Sequence, residues 1–376
     1  MRFHDGSLHR VALIEGDDSY TALMRRLATG PINRIPDHFD SNWEKLQYLK
    51  ARAQRLANKL LGRPATPETA ILASMVSQLL EATKKTRLGD GNDNHNPQTI
   101  DAAILSSPDR IRLNDEELGD IFDHLKLRNL MTDNNDDGKQ PTARSLYQLY
   151  ATSAAYAGYG KGLCRTYTDA YECEREEHAL PLTRVLHLDF NAASLSGTAK
   201  TLRSADAEGG TWADAQFVDA ELGSSSSSSA AARKATALLE EADGYWSAVS
   251  ERVREFARAL PERAYAPRVT GLLLTGPSAS DRRFRSVVRE ALDGLVAEDD
   301  GTLELLARGN GTETGGERGE WDSLFGFATA LGAAEMAKRR LEGPVGCAQS
   351  DECRRRREGV HGGGRGSVFV DQHADI

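Results

Sequence analysis

Residues 185–202 read VLHLDFNAASLSGTAKTL. The opening run is aliphatic and carries an aspartate, Asp189, and the pattern predicts strands at 184–190 and 195–203. Between them lies a short turn of small residues, Asn191, Ala192, Ala193 and Ser194. Strand, acid, tight turn and next strand are the outline of many nucleotide-binding folds. A turn that grips phosphate is ordinarily made of glycines, because only they let backbone N–H groups come close to the oxygens. Here alanines stand in those places, so the turn is either a phosphate loop or the remains of one.

Outward from this hairpin, strands and helices alternate, which predicts an α/β core. On the N-terminal side, RVALI (10–14) reads as a short strand closed by Gly16-Asp17-Asp18. Leu46, Leu49, Ala53, Leu56 and Leu60 recur at helical spacing over 42–61. Gly62 and Pro64 end that helix. A second helix runs from Pro67 to Leu88, stopped by Gly89. A buried strand is expected at 99–106. Asn114 caps a helix to 129, with Glu117 at the capping-box position. Residues 142–159 form an alanine-rich helix. DNNDDG (133–138) matches the first half of a calcium loop, but Arg144 stands where the bidentate glutamate belongs, and a solvated turn fits better.

On the C-terminal side, Ser224–Ser229 is a low-complexity loop. A long helix (231–260), a buried strand (268–274), the turn TGPSAS and a helix (281–295) follow. Residues 307–320 read as a loop and 323–341 as the last helix. The tail 354–376, with RRRR and HGGGRGS, is expected to be disordered.

The chain has 376 residues, which suits two lobes at roughly 100–200 residues each. Its net charge of -9 and pI near 5.6 argue against a nucleic-acid partner. No apolar run reaches the ~18 residues that span a bilayer, and the first residues lack the apolar core of a secretory signal. Both point to the cytoplasm and away from a membrane. Cys164, Cys173, Cys347 and Cys353 fit ordinary thiols in a reducing compartment. No histidine pair lies near Cys347 and Cys353 at zinc-ligand spacing.

Four segments and a sequel, in order, resemble the nucleotide-binding domain of the heat-shock protein 70 chaperones, an actin-like ATPase. PETAILASMVSQLLEATKKTRLG (67–89) is similar to a family helix that precedes a strand of the first lobe. LYATSAAYAGYG (149–160) resembles the first connecting helix, N-E-P-T-A-A-A-x-A-Y-G. LHLDFNAASLSGT (186–198) resembles the second phosphate loop, D-x-G-G-G-T. LLLTGPSASDRRFRSVVREAL (272–292) resembles the adenosine loop, G-G-S-x-R, and its helix; DSLFGFATALGAAEMAKRR (322–340) is similar to the second connecting helix. The likeness spans residues 67–341. It implies a two-lobed actin-like ATPase (ribonuclease H-like) fold with a shortened or rebuilt N-terminal lobe. Lobe I would cover 1–176 and lobe II 177–325, with a helix returning to lobe I over 326–353.

The departures from the family fall where phosphate would sit. The first phosphate loop has no counterpart; Glu15-Gly16-Asp17-Asp18 lacks the hydroxyls, and its carboxylates would repel phosphate. In the second loop Asp189 remains and would hold magnesium through water, with Ser194 as a donor, but the glycines are gone. The acid of the first connecting helix falls at Tyr150, a poor base at neutral pH, while Thr152 is kept. In the adenosine loop Gly276 and Ser278 fit, the second glycine is Pro277, and the adenine-packing arginine falls at Ser280, with Arg282 and Arg283 close behind. For Asp189 a turn acid is the plain alternative, and for Gly276 a turn requirement alone. Gly332, with Ala333 and Ala334, reads as a site of close helix packing.

The expectation is a heat-shock-70-like domain that binds ATP and magnesium weakly or not at all and acts as an interaction scaffold for a protein partner. The alternatives are an active ATPase or kinase of the same superfamily and an unrelated enzyme on the same scaffold, with a pocket lined by His124, Tyr156 or Cys164. The residues after the last helix are too few for the family's peptide-binding sandwich.

Overall fold

The computed structural model describes residues 10–30, 41–89, 100–111, 113–132, 148–205, 213–224, 237–260, 269–296, 315–343 and 355. Helix α1 (Asp18–Thr29) begins where the Asp17 carboxylate accepts the Tyr20 amide at 2.7 Å. Residues 10–14 form no strand, and Asp17 of the acidic turn after them caps a helix instead. Helices α2 (Asn42–Leu60) and α3 (Pro67–Gly89) follow as the spacing predicts. The single strand expected at 99–106 is two short ones, β1 (Ala102–Ala103) and β2 (Ser106–Ser107). Each pairs in parallel with a different later segment, β1 with β3 (Arg128–Asn129) and β2 with β4 (Leu149–Tyr150).

Helix α4 (Asp115–Leu125) opens with the expected capping box: the Glu117 amide donates to Asn114 Oδ1 at 2.8 Å and the Asn114 amide to Glu117 Oε2 at 3.0 Å. It ends before 129 because Lys126 turns left-handed, with φ 55°. Helix α5 (Ala151–Gly158) starts only after β4, so 149–150 is strand. Helix α6 (Ala170–Ala179), capped by Asp169, buries no residue and so carries no apolar period to read. Then come β5 (Thr183–Phe190), β6 (Leu195–Leu202), β7 (Ala215–Asp219), α7 (Ala237–Arg258), β8 (Val269–Thr275), α8 (Arg282–Leu292) and α9 (Gly315–Glu342). Residues 315–320, expected as loop, belong to α9.

The β5–β6 hairpin forms the middle of the four-stranded sheet. β5 pairs antiparallel with β6 and parallel with β8, and β6 pairs antiparallel with β7, giving the order β7-β6-β5-β8. The fold class is α/β with a mixed sheet. Alternation along β5 sorts its side chains to two faces. Leu186, Leu188 and Phe190 join Leu272 and Leu274 of β8 under Val249, Val253 and Phe256 of α7 and Phe284, Val288 and Leu292 of α8. Val185 and Leu273 point the other way, to Ala154, Ala155 and Ala157 of α5 and Ala333 and Met336 of α9. A smaller core joins Leu118 and Phe122 of α4 to Val76 and Leu80 of α3.

Helices α5 and α9 cross at backbone contact, as the small residues around Gly332 predict. A Cβ on Gly158 would lie 1.9 Å from the Ala328 carbonyl oxygen. The four-thiol expectation needs correction: Cys164 and Cys173 form a disulfide, which removes the cysteine-based reason for a reducing compartment. The acidic run 133–138, serines 225–229, Cys347, Cys353 and the tail apart from Arg355 lie outside the described residues. No helix among the described residues is long and apolar enough to cross a membrane.

Candidate functional site

In the parallel β5/β8 register Asp189 lies opposite Thr275, so the turn after β5 and the turn after β8 leave the sheet at the same end. In open α/β sheets ligands bind at the carboxyl ends of parallel strands. Asp189, Ser194, Gly276 and Ser278, drawn from two distant segments, are thereby brought to one place, and Thr152 reaches it from the first turn of α5.

The period of two along β5 puts Val185, His187 and Asp189 on the α5 face, and there the fold builds a buried polar chain. The Thr152 hydroxyl and amide both donate to Asp109 Oδ2, at 2.7 and 2.9 Å. Thr152 Oγ1 lies 2.9 Å from His187 Nδ1, and His187 Nε2 lies 2.8 Å from Thr275 Oγ1. The Thr275 hydroxyl also reaches Asp189 Oδ2 at 2.7 Å. Asp109, Thr152, His187 and Thr275 are all buried. Beside them the buried Lys200 bonds Ser153 Oγ at 3.2 Å and stands 5.6 Å from the Tyr150 ring centre.

Burial lowers the pKa of His187 below its ordinary value of 6.5, while the carboxylates of Asp109 and Asp189 pull it upward. The hydrogen bonds and the burial act in opposite directions. Two hydroxyls that each donate to a carboxylate leave both ring nitrogens facing oxygen lone pairs, which favours the cation. Burial is the larger effect. A neutral ring with its proton on Nδ1 donates to Thr152 Oγ1, whose own O–H donates to Asp109. Thr275 then has one proton for two acceptors, His187 Nε2 and Asp189 Oδ2.

The turn at 191–194 is closed on itself. Asn191 Oδ1 accepts the amides of Ala193 (2.9 Å) and Ser194 (3.0 Å), an Asx turn. Asn191 Nδ2 donates to Asp189 Oδ1 at 2.7 Å. Segment 222–224 covers the turn: the Ser224 amide donates to the Asn191 carbonyl at 2.9 Å, and a Cβ on Gly223 would lie 2.6 Å from the Ser194 nitrogen. These are the amides and the carboxylate oxygen that a phosphate or a magnesium shell would need. As arranged, the residues do not fit a magnesium triphosphate.

In the second turn Gly276 has φ 98°, and a Cβ there would lie 2.2 Å from the Phe190 carbonyl oxygen. Its turn geometry and close approach account for the glycine without a ligand. The Ser278 amide donates to that same carbonyl at 3.2 Å, and its hydroxyl lies 2.8 Å from Ser224 Oγ. Arg282 is exposed in the first turn of α8. Arg283 pairs with Asp243 and sits over the Trp246 ring at 5.6 Å.

Asp109, His187 and Thr275 are the residues that the sequence reading missed. His187 carried a signal: it is a polar residue two positions before Asp189 in an otherwise apolar strand, hence on the same face. Asp109 carried none, because only the tertiary fold brings it to α5. The one acidic and thiol cluster with metal-site spacing among the described residues, Cys164, Cys173 and Glu177, has its two sulfurs bonded to each other.

No protein-family model matches this chain, and no curated protein matches it.

Proposed function

We propose that the chain is a scaffold built on a heat-shock-70-like, actin-like two-lobed frame whose nucleotide chemistry has been lost, and that it works by binding a protein partner. The observation that carries this reading is the Asn191 side chain. It takes up two amides of the expected phosphate turn and one oxygen of Asp189, the expected magnesium residue. Support for the frame comes from the two expected nucleotide turns, which leave adjacent parallel strands at one end of the sheet. It comes also from the two expected connecting helices, which cross at Gly158 and Gly332. In this reading the described residues of the N-terminal lobe are short strand pairs and helices. ATP and magnesium would be bound weakly or not at all, and nucleic acid would not be a partner.

Calorimetric titration with magnesium-ATP, alongside a phosphate-release assay, tests the reading. The expected result is no heat of binding at micromolar ATP and release at the rate of buffer alone. Micromolar binding with turnover that Asp189→Asn abolishes would replace the scaffold with an active ATPase.

A further inference from the structure

Helix α2 is held to the molecule by its charged side. Arg55 Nε donates to Asp120 and its Nη1 to Glu116. Lys59 Nζ bonds Asp120 at 2.9 Å and Asp123 at 2.7 Å. Asn58 Nδ2 donates to the Ala65 carbonyl at 3.1 Å. The apolar side faces water: Leu46, Leu49, Leu56 and Leu60 are between 50 % and 80 % exposed, and α2 buries no residue at all. A surface helix ordinarily does the opposite, turning its apolar stripe to the core.

The exposed residues have a defined rhythm. Leu46, Leu49, Ala53, Leu56 and Leu60 follow at steps of three, four, three and four, the a and d positions of a coiled-coil heptad. That seam takes two positions in seven, and the exposed Trp43 lies on its flank at the first e position. The e and g positions beside it are Trp43, Lys45, Lys50, Arg52, Ala57 and Lys59. In either orientation a second copy of α2 would set these cations against one another.

We propose that the α2 seam docks a helix of a partner protein that carries Leu or Ile at its own a and d positions and Glu or Asp at its e and g positions. Apolar side chains of the partner pack over Ala53, where the missing bulk leaves a hole for a knob. Its carboxylates pair with Lys45, Lys50 and Arg52. The docking uses α2 only and no residue of the β5–β8 site, so a failed peptide titration and a failed ATP titration are separate outcomes.

The test uses the full chain and a labelled synthetic three-heptad peptide with Leu at a and d and Glu at e and g, read by fluorescence anisotropy. A second peptide with Lys at e and g is the comparison. The expected result is at least tenfold tighter binding of the Glu peptide, weakening as sodium chloride rises. It should be lost in the double variant Leu49→Glu, Leu56→Glu, whose thermal melt stays that of the natural chain because both positions are exposed. Equal binding of the two peptides, or binding that the double variant retains, overturns the proposal. So does a chain that sediments alone as a dimer and becomes monomeric in the variant, which makes the occupant a second copy. Leucine-dependent retention on phosphatidylserine vesicles without peptide binding overturns it in favour of a membrane surface.

Discussion

Gly332 of α9 faces the carbonyl of Ala154 of α5 so closely that a Cβ on the glycine would lie 1.7 Å from the oxygen. The two helices meet backbone to backbone, and the same Cβ would also lie 2.6 Å from the Gly158 nitrogen. No rotamer relieves such a contact; one helix must move. Gly332→Ala should therefore destabilise the protein by about 3 kcal/mol, the upper end for overpacking, measured by urea unfolding. Gly326→Ala, on the same helix, meets nothing within 4 Å. It should stabilise by up to ~1 kcal/mol through helix propensity.

His187 gives a pH signature. Its pKa is lowered in the fold, chiefly by burial, so below 6.5 the unfolded chain takes a proton that the folded chain refuses. The stability from the buried neutral ring is complete above 6.5 and falls as the pH drops, with a slope of at most about 1.4 kcal/mol per pH unit for one proton. Asp109 and Asp189 are the charged groups that act on it, and both moderate the effect. Urea melts between pH 5 and 8 should show the natural chain losing more stability on acidification than His187→Gln, and the two curves should run parallel above 7.

The central hairpin was legible because its information is local. Alternation from Val185 to Phe190, small residues at 191–194 and a second apolar run leave few other ways to fold, and both strands lie within a residue of their expected ends. The capping box at Asn114 and Glu117 is local in the same sense. What failed depends on distant partners. The strand expected at 99–106 splits because Ala102 and Ser106 pair with segments far along the chain. The leucines of α2 were read correctly as a helix, but their period says nothing of whether a core waits for them. At the site the sequence named both turns and Thr152. It could not supply Asp109, nor show that Asn191 would fold back on its own turn.

The disulfide fastens the loop that receives the end of α9. Arg339 Nη1 donates to the Cys164 carbonyl at 2.7 Å, and the Tyr167 hydroxyl donates to Glu342 Oε2 at 2.7 Å. The bond closes a sequence separation of 9. Reduction should cost about 2–3 kcal/mol, the low part of the usual range because the loop is short. Hydrogen exchange in the presence of dithiothreitol should speed up over residues 335–343 before the amides of β5 and β8 respond.

Asn191 decides whether the turn can admit an anion. Its side chain holds the Ala193 and Ser194 amides and Asp189 Oδ1 together. Asn191→Gly removes those three hydrogen bonds and supplies the backbone freedom that a phosphate turn needs. The two amide bonds are worth about 0.5–1.5 kcal/mol net each and the bond to the Asp189 carboxylate about 1.5–3; exposed groups recover part of that from water, so the variant should lose about 2–3 kcal/mol of stability. In exchange the two amides and the carboxylate face outward, and calorimetry should find magnesium-ATP bound at least tenfold more tightly than by the natural chain. Asn191→Ala, which frees the same donors without the glycine's conformational range, should gain less. Equal gains in the two variants would place the whole barrier in the side chain. No gain in either would place it in the methyl groups of Ala192 and Ala193 and in the 222–224 segment over the turn.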